Sequence, residues 1–542
     1  MGAGGLSSGI GTGGGGLGSF APAPGAFTTP FGAYGAPPAP ATAPPPVGVA
    51  PLEIPTVPPA WLLTPSIQLG EAFNDNVNLA PKGSTQWDFI TTVTPGLNLV
   101  GQSGRITLNL TYDPTEMIFA RTAPTSEFQQ HLLGTGRVEL WQDTLFIDSS
   151  AAIDQAFLRP TGAIAPTTLT TSNNLQTVYT ETVSPYLLQH LGSYADSESR
   201  YRFSSVNTSG NTIAPELTHE LRQSFVGGEA FDRFGWQLLG DATRLERGQA
   251  AGDPFSGITS KDELLRSDYR YPVYQSFSLI GGVGYERITD PTLSTQPKGV
   301  IWDVGFSYQP NPLVFVSLTY GERFDRNDIE FNATYNLDPQ LRVSAIYTQT
   351  IQTSQSQIAG NVSQLTLGPG GTLINAQTGL PVTTLPATGT LSTSASPFGV
   401  SSGSFLAKTA ALDATLLKER NTYTARLYAS KESGGTTIVN GVAIAPGTNV
   451  VTAERIYGTL FGWSHLLRAD LTANANAGYY RTVFLDGSGR HDNVYTFGLG
   501  LTYDLSRTTT ATLSLSRSDQ RSNIPVDSLT DDIVLATIRK TF

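Results

Sequence analysis

The sequence predicts an all-β protein: a large antiparallel up-and-down transmembrane β-barrel of about 18–22 strands with both termini on the periplasmic side. Three observations predict this fold. Apolar and polar residues alternate with a period of two from residue 66 onward, and short and long connections between the alternating segments follow one another. In addition, no apolar run approaches the ~18 residues of a transmembrane helix.

The alternation is clearest between Tyr495 and Leu505. Every second residue of this segment is Tyr, Phe or Leu, and the residues between them are Thr, Gly and Asp. A helix would mix the two sets, whereas a strand places them on opposite faces. The same separation recurs in four further segments, which begin at Ile106, Trp302, Ile329 and Leu471.

Aromatic residues at the ends of the apolar face favour a barrel in a membrane over a soluble sandwich, propeller or solenoid. Tyr495 and Tyr503 would be separated by roughly 20 Å of height in a tilted strand, close to the ~25 Å apolar band between aromatic girdles. The opposite face carries small polar residues, as a water-filled lumen allows. No fixed-period repeat is visible, which argues against a propeller or solenoid.

The connections support a barrel with one short-turn end and one long-loop end. Tight connections at 102–104, 232–233, 311–312, 338–340, 418–420 and 506–507 alternate with longer ones at 76–86, 159–180, 209–217, 248–262, 289–298, 352–404, 433–452, 485–492 and 519–530. Short turns are expected on the periplasmic side and long loops outside.

Two low-complexity segments frame the domain organisation. Residues 1–64 are rich in Gly, Ala and Pro and contain one charge, Glu53, so this segment is expected to be disordered. Residues 65–542 are expected to form the barrel. The uncharged insertion at about 352–404 is expected to be extracellular or to fold into the lumen, where it would be the first candidate for a plug.

Composition excludes several functions. The net charge of −11 argues against a nucleic-acid binder, and the absence of Cys excludes thiolate metal sites, Fe–S clusters and disulfides. The five His share no close spacing. We therefore predict no cofactor, no metal, no catalytic residue and no enzymatic activity.

Charged residues on the polar face are candidates for lining the lumen. By strand parity they are Asp88, Arg105, Arg137, Glu139, Arg200, Arg202, Arg222, Asp268, Arg270, Asp303, Glu330, Arg342 and Arg426. Arginines could bind glycans that carry carboxylate or phosphate groups. Alternatively, the acidic and basic side chains pair with each other and fill the lumen.

The last strand ends in a pattern that resembles the insertion signal of bacterial outer-membrane barrels. Val534, Ala536, Ile538 and Phe542 share one face, although Lys540 interrupts it. This pattern implies outer-membrane lipid and the barrel-assembly machinery as partners.

Several segments resemble the PEP-CTERM system-associated outer-membrane β-barrel family. They are Pro65–Leu79, Asp88-Phe89, Thr94–Leu97, His131–Leu133, Val138–Leu140 and Leu145–Asp148. The resemblance covers residues 65–542. It implies an integral protein of a Gram-negative outer membrane that accompanies exosortase sorting and exopolysaccharide production, and it assigns no functional residue.

Three functions are compatible with this reading. The first is a channel or export-associated barrel, with polysaccharide or a secreted protein as its partner. The second is a scaffold or adhesin that uses the 352–404 insertion. The third is a barrel hydrolase built on His491 or His219; Ser464 and His465 are adjacent and would face opposite sides of a strand.

Overall fold

The computed structural model describes residues 61–542 except 123, 159–166, 232, 312, 339, 364, 368–372, 376–399, 401, 434–437, 440–441, 444–453 and 486–487. Residues 1–60 of the segment predicted to be disordered lie outside the described residues. The first strand begins at Trp61, four residues before the predicted start of the barrel.

Nearly all of the described secondary structure is β-strand. The strands are β1 (Trp61–Asn74), β2 (Asp88–Gln102), β3 (Ile106–Tyr112), β4 (Thr115–Phe119), β5 (Ser126–Gln129), β6 (Leu132–Trp141), β7 (Leu145–Phe157), β8 (Leu175–Leu191), β9 (Ala195–Thr208), β10 (Glu216–Gly227), β11 (Gly235–Arg247), β12 (Thr259–Tyr274), β13 (Phe277–Thr289), β14 (Lys298–Asn311), β15 (Val314–Arg323), β16 (Arg326–Asp338), β17 (Leu341–Gln352), β18 (Leu365–Leu367), β19 (Leu373–Asn375), β20 (Phe405–Lys418), β21 (Asn421–Ser433), β22 (Ile438–Val439), β23 (Val442–Ala443), β24 (Glu454–Arg468), β25 (Leu471–Phe484), β26 (His491–Ser506), β27 (Thr509–Ser522) and β28 (Leu529–Thr541). One α-helix, α1 (Ser354–Ser363), follows β17.

The main sheet closes on itself. Each of its strands pairs antiparallel with its neighbours, and β1 pairs with both β2 and β28. β2 pairs with β3 and then with β4, so these two segments form one wall strand, interrupted at 113–114; β5 and β6 form another, interrupted at 130–131. The 24 strands of the sheet thus make the 22-stranded closed antiparallel barrel that the sequence predicts.

Both ends of the barrel wall lie at the short-turn end. The register between β1 and β28 runs from Ser66 opposite Thr541 to Asn74 opposite Ile533, so the start of β1 meets the end of β28. Phe542 donates its backbone N–H to the Pro65 carbonyl at 2.9 Å. The two strands that close the barrel are therefore joined by backbone hydrogen bonds, which leaves no free edge for aggregation.

The outward face is an apolar band that lipid must cover. On β26, Phe497, Leu499 and Leu501 are 42–49% exposed, while Gly498 between them is buried. Tyr495 and Tyr503 mark the two ends of this band, as the sequence predicts. Within the described part of the chain, no helix is long and apolar enough to cross a membrane.

Buried apolar clusters lie inside the barrel near the long-loop end. One cluster joins β1, β2 and β4 to the loops between strands and consists of Ala72, Val77, Ile90, Met117, Phe119, Leu169 and Ile533. These clusters hold the loops against the inner wall and cover part of the lumen.

The structure corrects several connections. β8 begins at Leu175 and β12 at Thr259, inside the predicted loops 159–180 and 248–262. On the long-loop side, β15 and β16 are joined by a two-residue turn, Phe324-Asp325, with φ of 56° at both residues. Strand ends that project beyond the membrane have no apolar outward face to maintain, so the alternation that marks a strand fades there.

Candidate functional site: the lumen and its covered mouth

One sector of the inner wall, from β9 to β16, is packed with buried charges. Arg266 on β12 is 2% exposed. Its Nε donates to Asp268 at 2.6 Å, and Nη2 of the same guanidinium forms an ion pair with Asp303 on β14. Between these strands lies Gly282 on β13, and a Cβ there would overlap both Arg266 and Asp268. The absence of a side chain at residue 282 thus lets the guanidinium cross a whole strand.

Two more buried pairs extend this sector. Arg323 binds both carboxylate oxygens of Glu286, at 2.6 and 2.9 Å, and Arg202 lies 3.1 Å from Glu220. A single unpaired charge in such a place would be strongly destabilising, whereas a bidentate pair satisfies both partners. Leu239, Leu264 and Ile301 pack beside these charges. This part of the interior is therefore filled rather than open.

A third network lies nearer the short-turn end. Asp148 binds Arg137 at 2.7 Å and Arg200 at 3.5 Å, and Arg200 also binds Glu198 at 2.6 Å. The Arg200 guanidinium lies 3.8 Å from the centre of the Tyr186 ring. Arg137 keeps 58% of its side chain exposed, so its positive charge is open to the lumen.

The opposite wall is less covered, and its lumen-facing side chains range from Gly, Asn and Thr to Leu460 and Tyr480. On β24 to β26 the lumen-facing residues include Gly458, Asn474, Asn476, Thr496 and Gly498. Two charged pairs lie on the strands that flank this wall, one on β20 and β21 and the other at β28. Arg426 binds Asp413 through two nitrogens, at 2.6 and 3.2 Å, with 48% of its side chain exposed. Arg539 binds Asp113 at 3.1 Å.

The remaining predicted lumen residues lie in varied places. Asp88 caps a turn at the long-loop end, where its carboxylate accepts backbone N–H groups of residues 120–122 at 2.7–3.2 Å. Glu139 accepts the Asp143 N–H in a short turn at 2.6 Å. Arg105 lies in the exposed turn before β3, so it belongs to the rim and not to the lumen wall.

Four further candidates lie on the inner face. Arg222 is opposite Asp241, Glu330 is opposite Thr319, and Arg342 is opposite Thr415. Arg270 donates to Ser278 Oγ at 3.1 Å. The predicted set therefore divides into several separate groups, and the structure does not bring it together into one binding site.

The mouth at the long-loop end is covered by the start of the insertion. Thr353, directly after β17, donates to both carboxylate oxygens of Glu216 on β10, at 2.8 and 3.0 Å. β10 lies seven strands away from β17 along the wall. Gln355 donates to the Ala214 carbonyl at 2.9 Å, and Ile358 of α1 packs in a buried cluster with Val178 and Val206 of β8 and β9.

The end of the insertion is anchored to the same side. Arg247, at the end of β11, donates to the Ser402 carbonyl and, at 3.0 Å, to Ser404 Oγ. Ser402 Oγ in turn donates to Asp253 at 2.6 Å. Backbone N–H of Val400 donates to the Leu158 carbonyl at 2.9 Å. Both described ends of the insertion thus bind the β7–β11 side of the mouth.

Sequence reasoning placed a plug in this insertion but did not identify the residues that hold it. Thr353, Gln355, Ser402 and Ser404 are uncharged, and nothing in a Ser/Thr-rich segment distinguishes an anchoring hydroxyl from a solvated one. The residues that bind the insertion were easier to detect in the sequence. Glu216 and Arg247 are charged residues at lumen-facing positions, at the long-loop ends of their strands.

The histidines that the sequence singled out lie at separate positions on the wall, while His190 and His131 lie 2.6 and 3.5 Å from Asp196 and Asp154. His219 faces outward and contacts the Tyr201 hydroxyl at 2.7 Å, while its neighbour Glu220 faces the lumen. His465 faces outward against Asn421 at 2.8 Å, and His491 begins β26. Among the described residues, no group of three or more His, Cys, Asp or Glu could hold a metal ion.

Comparisons with known proteins agree with this architecture. A family model described as "Putative beta-barrel porin 2" matches residues 457–542, which include most of β24 and all of β25 to β28. The chain is an integral protein of the outer membrane. Its closed wall, apolar exterior and match to a porin model agree on this location.

Solved structures resemble the chain in fold. The siderophore receptor PiuA from Acinetobacter baumannii aligns with a TM-score of 0.47 and 8% identity, over 88% of this chain and 82% of that chain. The FrpB iron transporter from Neisseria meningitidis aligns with a TM-score of 0.48 and 12% identity, over the same shares. A search of curated protein sequences finds no relative.

Proposed function

We propose that this protein is a gated outer-membrane channel for polar solutes and carries out no catalysis. The observation that supports the proposal most strongly is the contrast between the wall of the lumen and its mouth at the long-loop end. Gly, Asn and Thr residues line much of the wall of β24 to β26, together with Leu460 and Tyr480, whereas the mouth is crossed by a segment held by hydrogen bonds and by one apolar cluster. Such a cover can detach without disrupting the wall.

The solute class follows from the groups that face the open part of the lumen. Asn474, Asn476 and Thr496 offer hydrogen bonds, and Arg137 and Arg426 add partly exposed guanidinium groups. This lining suits hydroxyl-rich, acidic saccharides. The resemblance to exosortase-associated barrels makes exopolysaccharide or surface-protein export the finer form of the proposal.

Planar-bilayer recording of the purified full chain tests this function. The variant to compare replaces residues 354–404 with a short Gly-Ser linker that joins β17 to β20. We expect rare openings from the parent protein and steady conductance from the variant. A folded variant that never conducts would overturn the channel proposal.

Solute selectivity is a second, separate measurement. Liposomes that contain the linker variant should swell faster in neutral or acidic oligosaccharides than in basic ones of equal size. Equal rates for all three would leave a channel but would contradict the saccharide assignment.

A further inference from the structure

A buried carboxylate holds the start of the segment that covers the mouth. Glu216 is 1% exposed, and its two oxygens accept the Thr353 hydroxyl at 2.8 and 3.0 Å. Among the described contacts, this hydroxyl is the one hydrogen-bond donor to the Glu216 side chain. A single hydroxyl replaces only part of the hydration that a carboxylate loses when it leaves water. The closed mouth therefore keeps Glu216 dry and poorly solvated.

The guanidinium opposite Glu216 is bound by other partners. Arg247 is paired with Glu216 in the register of β10 and β11. Its Nη2 lies 3.6 Å from Asp290, and both of these side chains are fully buried. The Arg247 nitrogens also donate to Ser260 Oγ at 2.7 Å and to Ser404 Oγ at 3.0 Å. Two buried carboxylates thus share one guanidinium.

Further ionisable groups on the surrounding elements are acidic or already paired. Glu220, on the inner face of β10, lies 3.1 Å from an arginine of β9. Asp253, in the loop after β11, accepts the Ser402 hydroxyl at 2.6 Å. Asp262 on β12 is another buried acid. The insertion that covers the mouth, residues 352–404, contains no charged residue in its sequence, so it brings no cation to this place.

The closed mouth therefore buries a net negative charge. Two carboxylates and one guanidinium, those of Glu216, Asp290 and Arg247, sum to −1, and none of the three residues is more than 3% exposed. A buried charge without an equal counter-charge favours its neutral form. Burial accordingly raises the pKa of Glu216 to about 7, although Arg247 and the Thr353 hydroxyl oppose this shift.

This group of charges lies beyond the part of the wall that lipid covers. Glu216 begins β10 and Arg247 ends β11, both at the long-loop end. On the outward face of the same end, Arg244 binds Glu246 at 2.7 Å, with 57% and 38% of their side chains exposed. An exposed ion pair of this kind lies in water, so water reaches Glu216 once the covering segment leaves.

Opening of the mouth changes the proton affinity of Glu216. In the closed mouth burial raises the pKa of this carboxyl, and in the open mouth hydration returns it towards the ordinary value of a glutamate. A proton binds more tightly to the state with the higher pKa. Acid therefore stabilises the closed mouth, and this stabilisation is lost as the pH rises through about 7.

We propose that proton uptake by Glu216 closes the mouth in acid and that proton release favours its opening at alkaline pH. This inference rests on the channel function proposed above and adds the regulation of that channel. At alkaline pH the ionised carboxylate still accepts the Thr353 hydroxyl, but its uncompensated charge favours the state in which water reaches it.

Planar-bilayer recording of the full chain between about pH 8 and about pH 5 tests this response. The ratio of open to closed states should fall on the order of 50-fold from the alkaline to the acidic end, given a pKa of about 7 in the closed state and the ordinary value in the open state. Glu216→Gln has nearly the same shape and is neutral at every pH. This variant should keep the parent's acid value of the ratio throughout.

Two controls separate this response from general effects of acid. Glu246→Gln removes a carboxylate from the same end of the wall but on its outward face, so it should keep the parent's pH dependence. The linker variant that lacks residues 354–404 retains Glu216 and lacks the covering segment. Its conductance should therefore stay the same across this pH range.

Hydrogen–deuterium exchange of α1 gives a measurement that does not depend on conduction. Comparing the parent with Glu216→Gln at the same pH cancels the intrinsic pH dependence of exchange. At about pH 8 the backbone N–H groups of α1 should exchange faster in the parent, and at about pH 5 the two proteins should agree. If neither the parent nor the linker variant conducts, the channel proposal fails, and the exchange difference still decides the proton response.

Three results would overturn the inference. The first is a parent open fraction that stays constant or rises in acid while the linker variant conducts. The second is a folded Glu216→Gln variant that follows the parent's pH profile. The third is equal exchange of α1 in the two proteins at about pH 8. If Glu216→Gln does not fold, the parent's own pH profile decides, since a flat or reversed profile contradicts the predicted direction.

Discussion

Release of the mouth cover is the sharpest consequence of the channel proposal. The perturbation is Thr353→Val combined with Gln355→Leu, which keeps side-chain size close to the original while removing both hydrogen-bond donors. Thr353 donates to the carboxylate of Glu216 at 2.8 and 3.0 Å, and Gln355 donates to a backbone carbonyl at 2.9 Å. Both acceptors lie on the far side of the mouth from β17.

The expected size of the effect follows from these contacts. A hydrogen bond to a charged group contributes about 1.5–3 kcal/mol, and a neutral one contributes about 1 kcal/mol. Burial raises the pKa of Glu216 to about 7, so the larger figure applies to Thr353 above that pH, where recordings are made. Together they stabilise the closed mouth by roughly 3 kcal/mol, which corresponds to on the order of 100-fold in the ratio of closed to open states. Ile358 remains packed in its cluster, so closure should weaken without being abolished.

Single-channel recording measures this ratio as the fraction of time spent open. The double variant should open about 100 times more often than the parent, with the same conductance per opening. Ser363→Ala is the matched control, because Ser363 donates only to the Gly360 carbonyl within the same helix. A folded double variant with the parent's open fraction would refute the idea that these bonds hold the mouth closed.

Three other substitutions test the wall. Gly282→Val should force Arg266 from its place and lower the free energy of unfolding by about 3–5 kcal/mol in urea titrations. Gly240→Ala should change that free energy little, because the added Cβ would lie 4.0 Å from its nearest neighbour, Leu265 Cδ1. Leu499→Arg places a charge in the lipid band and should lower that free energy by about 2–4 kcal/mol, with no loss expected if the face were aqueous. Phe542→Ser should slow assembly in vivo, seen as unfolded precursor on gels; unchanged assembly would exclude a role for the terminal residue.

The barrel was predictable because lipid imposes a simple rule on the sequence. Every residue that faces lipid must be apolar, so Phe497, Leu499 and Leu501 mark the outside wherever the strand lies in the membrane. The same rule identifies β28, where Val534, Ala536 and Ile538 are outward-facing. Beyond the membrane the rule no longer acts, and there the predicted strand ends were wrong.

The lumen was less predictable because parity assigns a face but no partner. Asp88 and Arg266 both satisfy the parity rule, yet Asp88 caps backbone groups of a turn while Arg266 crosses a glycine to reach Asp303. The partner that a long side chain binds depends on the strand register and on the neighbouring side chains, and only the folded wall defines these. Arg105 shows a related error: it has the correct parity but lies beyond the end of its strand.

Site-directed labelling along β26 tests most directly that lipid covers the outward face. The chain contains no Cys, so single Cys substitutions from Thr496 to Leu501 each give one reactive site. In proteoliposomes, labels at Phe497, Leu499 and Leu501 should be quenched by lipid-attached quenchers. Thiols at 496, 498 and 500 should instead react with a water-soluble reagent. Equal aqueous reactivity at all six positions would contradict a membrane barrel.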